Sequence, residues 1–124
     1  DRFIFTGFVS NPADIISLFD VFVFPSLWEG CPVGLLEAMM LSKSCIAFPV
    51  GDIPYIIEDG ISGLLVEYRS SEKIALAIIS LLKDKKRRED MGKAAYKRAI
   101  EHFSLDIMMR KYIATYIDLK RKKG

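Results

Sequence analysis

The chain has 124 residues, 51% hydrophobic and 27% charged, with a formal net charge of +2. That is the length of one domain with enough apolar side chain for a core, and the balance is too near neutral for a general nucleic-acid role. No apolar run reaches the ~20 residues of a membrane span, no opening stretch reads as a signal peptide, and two cysteines in such a chain read as reduced thiols of a cytosolic protein.

Residues 2–5 read as a short strand ended by Thr6-Gly7. Ser10-Asn11-Pro12 then opens a short helix with Ile15, Ile16, Leu18 and Phe19 facing inward. Asp20 leads into the apolar run Val21-Phe22-Val23-Phe24, which is apolar on both faces and is therefore expected as a central parallel strand. A turn punctuated by proline and glycine follows, then a helix from Val33 to about Leu41 and a third strand over residues 45–48. Pro49 to Pro54 form the next loop, residues 55–58 a short helix, and residues 64–67 a fourth strand. Ser70 and Ser71 cap a helix over residues 72–83, with Ile74, Ala75, Ile78, Ile79 and Leu82 as its stripe. A charged helix over residues 84–103 turns Met91, Ala95 and Ala99 inward, and Ser104 caps a last helix over residues 105–120. Strands alternating with helices predict an α/β fold, a doubly wound parallel sheet with C-terminal helices. Ligands of such sheets bind outside the carboxyl ends of the strands.

The stretch from Pro25 to Met39 falls at such an end. With Pro32 at the first helical position, Gly34 and Glu37 share a face of the helix. A glycine there costs about 1 kcal/mol relative to alanine, which suggests that something approaches the backbone closely. The amides of Cys31, Val33, Gly34 and Leu35 are unpaired donors at a positive dipole end, suited to a phosphate or diphosphate. Glu29 and Glu37 flank that position. Carboxylates repel phosphate but accept two hydroxyl donors at once, so the pattern fits a nucleotide sugar, with one Glu on the ribose and the other near the transferred sugar.

Glu29 and Glu37, separated by seven residues inside Pro-Ser-x-x-Glu-Gly-x-Pro-x-x-x-Leu-Glu-Ala-Met, resemble the signature of retaining glycosyltransferases of the GT-B fold. This is the group that includes bacterial mannosyltransferases and sucrose and glycogen synthases. The likeness extends to Phe5-Thr6-Gly7, to Asp20 through Ser26, to Val50-Gly51 and Ile53-Pro54, and to Glu58-Asp59-Gly60 with Gly63 through Val66. It implies a Rossmann-like half of a GT-B enzyme, with the chain as part of the C-terminal donor-binding domain and the amino-terminal domain missing. It also implies a nucleoside-diphosphate sugar as donor, no metal or other cofactor, Glu37 on the ribose, and Glu29 beside the donor sugar in an electrostatic or positional role. Gly30, Cys31, Pro32, Val33, Gly34 and Leu35 would line the diphosphate, with Ser26, Gly51 and Asp52 bordering the nucleotide and sugar. The family usually carries a second glycine at position 52 and a glutamate at position 55, where this chain has Asp52 and Tyr55, so the donor sugar stays open.

Plainer roles stand beside these. Glu29 and Asp52 could each simply cap a following helix, Ser26 could be a turn residue, and Trp28 could either stack on a nucleotide or pack against its loop. His102, the single histidine, lies far from the motif and reads as neither catalytic nor a metal ligand. Cys31 and Cys45 could in principle pair, although one lies in the ligand loop and the other begins a buried strand. Lys85 to Arg88 and Lys120 to Lys123 read as solvated basic runs, with peripheral contact to anionic lipid at the inner membrane face as the alternative. The last helix would cross back to the amino-terminal domain in the family, leaving Met109, Tyr112, Ile113, Tyr116 and Ile117 without their partner here. A non-catalytic α/β binding module or a degenerate transferase is the alternative function.

Overall fold

A computed structural model describes residues 2–122. The elements run α1 (Pro12–Ser17), β1 (Val21–Phe24), α2 (Val33–Met40), β2 (Ser44–Ala47), α3 (Ile53–Ile56), β3 (Leu64–Leu65), α4 (Ser71–Lys83), α5 (Lys85–Phe103) and α6 (Leu105–Lys122). The three strands form one parallel sheet in the order β1-β2-β3, with Val21 opposite Ser44 and Ile46 opposite Leu64.

Helices cover both faces of the sheet, and β2 shows how. Its alternate residues Cys45 and Ala47 face Leu35, Ala38 and Met39 of α2, Ile53 and Ile56 of α3, and Ala95 and Ala99 of α5. Ile46 points the other way, to Ala77 and Leu81 of α4 and to Met91. A strand buried on both sides favours apolar side chains on both faces, which is the reason the sequence from Cys45 to Phe48 reads as a continuous run, while the buried Ser44 hydroxyl donates to the Arg88 carbonyl. Burial pushes the Cys45 thiol up to about 12, because a thiolate there would lose its water.

Several boundaries differ from the sequence expectation. Residues 2–9 form no strand, and Phe3, Ile4, Phe5 and Phe8 are more than 80% exposed; an extended segment becomes a strand only by pairing, and this one pairs with none of the described strands. β1 is accordingly an edge strand, half-buried along its length, and not a central one. In α1 only Ile16 is buried, while Leu18 and Phe19 stay exposed. In α4 the inward line is Ile74, Ala77, Ile78 and Leu81, turned away from the expected stripe, so that Ala75, Ile79 and Leu82 face outward. Its Ser70 cap holds the amide of Lys73, with Ser71 already helical. The strand expected over residues 64–67 pairs only at Leu64 and Leu65, and the short helix begins at Ile53 rather than Tyr55.

α5 fits because Gly92 has no side chain. A methyl group there would overlap the Ser42 carbonyl oxygen, so the glycine lets the helix lie against the turn before β2. α6 leaves the body of the domain with no buried residue, and Met109, Tyr112, Ile113, Tyr116 and Ile117 are exposed. Lys85 and Lys86 pair one turn along α5 with Glu89 and Asp90, and Lys122 pairs with Asp118; Lys123, in the second basic run, lies outside the described residues. Among the described residues no helix is long and apolar enough to cross a membrane.

Candidate functional site

Parallel strands place their carboxyl ends on one edge, and three loops meet there: residues 25–32 after β1, 48–52 after β2, and 66–70 after β3. Two contacts between backbones fasten the first two loops. The Asp52 amide donates to the Gly30 carbonyl at 3.1 Å, and Gly51, at φ +52°, lies so near that a methyl group would overlap the Glu29 carbonyl oxygen. The third loop joins through Tyr68, whose hydroxyl reaches the Leu27 carbonyl at 3.5 Å and whose ring meets Phe48 edge-on at 5.9 Å. Arg69 lies over that ring, 5.1 Å from its centroid.

Pro32 is the N-cap of α2 and not its first helical residue, with φ −77° and ψ 101°. Its fixed φ and extended ψ start the helix, and the first amide to find a partner is that of Leu36, on the Pro32 carbonyl at 3.3 Å. The amides of Cys31, Val33, Gly34 and Leu35 donate to no protein acceptor among the described residues. The helix has neither a side-chain cap nor an acid in its first turn. Glu29 therefore does not cap it, which removes the plainer reading of that residue. Asp52 occupies the N-cap position of α3 and makes no side-chain cap bond either.

Gly34 is not required by packing: a methyl group there would meet only the Phe24 ring, at 4.0 Å. A helical glycine that costs stability and relieves no crowding leaves open space beside the free amides. Glu29 and Glu37 are both half-buried, and neither is in an ion pair among the described residues, so their oxygens remain free to accept from hydroxyl groups. Ser26 donates to the Trp28 carbonyl at 3.1 Å, a brace across the loop. Trp28 is 82% exposed, which rules out packing against its own loop. Cys31 and Cys45 are both free, the first exposed and the second buried.

The family profile described as glycosyl transferases group 1 matches residues 1–98. The chain belongs to that family. This group 1 glycosyltransferase chain is 33% identical over 121 residues to N-acetyl-alpha-D-glucosaminyl L-malate synthase of Bacillus anthracis, covering 98% of this chain and 32% of that protein. It is 38% identical over 97 residues to alpha-maltose-1-phosphate synthase of Mycolicibacterium smegmatis, covering 73% of this chain and 25% of the relative. It thus spans a quarter to a third of the length of these curated relatives. A solved C-terminal domain of a glycosyl transferase group 1 family protein from Francisella tularensis matches with a TM-score of 0.72 at 31% identity, over 80% of this chain and 52% of that one. HepE of Anabaena, solved with UDP and glucose, shares the fold at 22% identity with a TM-score of 0.84, over 95% of this chain and 32% of that one. The parallel α/β sheet of this group 1 chain is that of GT-B glycosyltransferases.

Two residues of the group 1 chain that support the site escaped the sequence reading. Tyr68 follows β3 and carries no periodic signal. Arg98 donates to the carbonyls of Ile56 at 2.7 Å and Tyr55 at 2.8 Å. A signal for it did exist, since Met91, Ala95 and Arg98 follow the helical spacing of the inward stripe and a charged residue in such a place needs partners.

Proposed function

We propose that this chain is the donor-binding domain of a retaining glycosyltransferase that moves a sugar from a nucleoside-diphosphate sugar to a glycan, lipid or other acceptor. The observation that carries the reading is the start of α2: free amides at Val33, Gly34 and Leu35, no acid in the first turn, and open space beside Gly34. Such a terminus holds about half a positive charge aimed at its ligand. A diphosphate accepts from the amides, and Glu37, one turn inside the helix, takes two ribose hydroxyls. Glu29 stands at the loop edge next to the transferred sugar, where its charge steadies the positive character that builds on the sugar as the bond to phosphate breaks. Donors fixed in advance on the departing diphosphate contribute most when its charge is largest, in the transition state.

Support for a diphosphate donor comes from the family and from HepE, whose solved complex holds UDP and glucose. The C-terminal domain from Francisella tularensis supports the place of this chain within a two-domain enzyme. On this reading the amino-terminal domain supplies the acceptor side, the transfer needs no metal, and the enzyme works in the cytoplasm in polysaccharide assembly, at the inner face of the membrane where its acceptor is lipid-linked.

The test is turnover of uridine, guanosine and adenosine diphosphate sugars by the full-length protein and by Glu37→Ala and Glu29→Gln. One donor class should be consumed with the anomeric configuration kept. Glu37→Ala should raise KM for that donor, and Glu29→Gln should lower kcat more than it raises KM. Binding of a nucleoside diphosphate without any turnover would identify a degenerate transferase. Turnover indifferent to Glu37→Ala would remove the site assignment.

A further inference from the structure

We infer that Arg98 is a positioning residue for the Glu29 loop and acts on it through α3; this rests on the reading of that loop as part of the donor site. α3 has four residues, Ile53–Ile56, too few to hold a helix by its own hydrogen bonds. Its place is set from outside at both ends. At the carboxyl end the Arg98 guanidinium donates to the Tyr55 and Ile56 carbonyls, which lack partners within so short a helix, and lies 3.6 Å from the Glu58 carboxylate. The Tyr55 ring also meets Phe103 of α5 edge-on at 5.7 Å. At the amino end the Asp52 amide holds the Gly30 carbonyl and Gly51 abuts the Glu29 carbonyl. Between the ends Ile53 and Ile56 are fully buried, so the short helix moves as one body. A shift of α3 away from α5 is therefore passed to the backbone of Glu29 and Gly30.

The chain contains its own control. Arg88 is an equally committed arginine at the opposite edge of the sheet. It donates to the Leu81 and Leu82 carbonyls at the end of α4 and pairs with Asp20 at 3.3 Å. Its side chain is 16% exposed against 25% for Arg98. Losing either arginine removes two carbonyl contacts and an ion pair, but only Arg98 is linked to the site.

The experiment compares Arg98→Lys, Arg98→Ala and Arg88→Ala in the full-length protein, reading the melting temperature, the donor KM and kcat, and hydrogen exchange over residues 28–34 and 50–57. Lysine keeps a charge near Glu58 and gives up the planar fork that spans two carbonyls. The expected result is a donor KM raised about tenfold by either Arg98 substitution, because small misplacements at a reacting centre are costly. Faster exchange at the Asp52 amide should accompany it, with Arg88→Ala lowering the melting temperature as much and changing KM less than twofold. Combined with Gly51→Ala, Arg98→Lys should add little further loss, because both act on one linkage. Equal effects of the Arg98 and Arg88 variants on KM and on exchange, or fully multiplicative costs in the double variant, would overturn the inference. Exchange is read without donor: a protein that neither binds nor turns over any nucleotide sugar but shows the Arg98-specific change refutes the donor-site reading and leaves the linkage standing.

Discussion

Two glycines sit in helices of this domain, and replacing each by alanine should have opposite effects. From helix propensity alone both substitutions stabilise, by about 1 kcal/mol each. At Gly34 nothing opposes that gain, because the added methyl would lie 4.0 Å from the Phe24 ring, an ordinary van der Waals distance. At Gly92 the methyl would overlap the Ser42 carbonyl. Ser42 cannot easily give way, since it already has φ 56° and its amide is tied to the Met39 carbonyl at 2.9 Å. α5 would have to retreat from the turn, straining a close-packed interface at a cost of about 1–3 kcal/mol, so Gly92→Ala should be destabilising on balance. Gly34→Ala should raise the melting temperature by roughly 2–4 °C for a change of about 1 kcal/mol. The same methyl fills the space proposed for the diphosphate, so on that proposal donor affinity should fall at least about tenfold, or about 1.4 kcal/mol. Thermal unfolding and titration with nucleoside diphosphates, run on both variants of the full-length protein, measure the two effects. Stabilisation by Gly34→Ala with unchanged affinity would refute the claim that this glycine is kept for a ligand.

Gly51→Ala should destabilise the protein by about 2–4 kcal/mol, combining the left-handed φ with the loss of the Asp52–Gly30 bond. Gly30→Ala, where a methyl meets nothing within 4 Å, should stay within about 0.5 kcal/mol of wild type, with urea titration measuring both variants. Burial in the folded protein pushes the Cys45 thiol up from its ordinary 9.0 to about 12. The native state therefore keeps a proton that the unfolded chain has released. Its contribution is intact below pH 9.0 and is lost as pH rises toward 12, at up to about 1.4 kcal/mol per pH unit. Cys45→Ala should flatten that part of the stability profile, and native protein should be alkylated at Cys31 long before Cys45.

Much of this architecture can be read from residue patterns, because apolar runs and helix signals act locally. β1, α2, β2 and α5 fall within a residue or two of expectation for that reason. Misplaced features depend on distant neighbours. Residues 2–5 have the composition of a strand, but pairing is a property of two segments, and among the described residues no second segment pairs with them. Pro32 suits either the N-cap or the first helical position by its φ alone, and the free amides beyond it decide between them. The stripe of α4 contains more apolar residues than its face can bury, so composition could not tell which line turns inward. In the site, the paired carboxylates and the helix start were visible because they lie within nine residues of one another. The fastening of Glu29 by Gly51 and the support of α3 by Arg98 join residues 22 and more than 40 positions apart, and no local pattern encodes that.

The start of α2 is the place proposed here for the diphosphate of a sugar donor. Amide-resolved exchange, or amide chemical shifts, of the full-length protein with and without uridine, guanosine and adenosine diphosphates tests it most directly. One nucleotide should protect Val33, Gly34 and Leu35, with smaller changes at Ser26 through Glu29 and at Gly51 and Asp52. Protection centred elsewhere, for instance on the open concavity of about 520 Å³ lined by Gly60, Asp84 and Asp90, or no protection by any of the three, would contradict it.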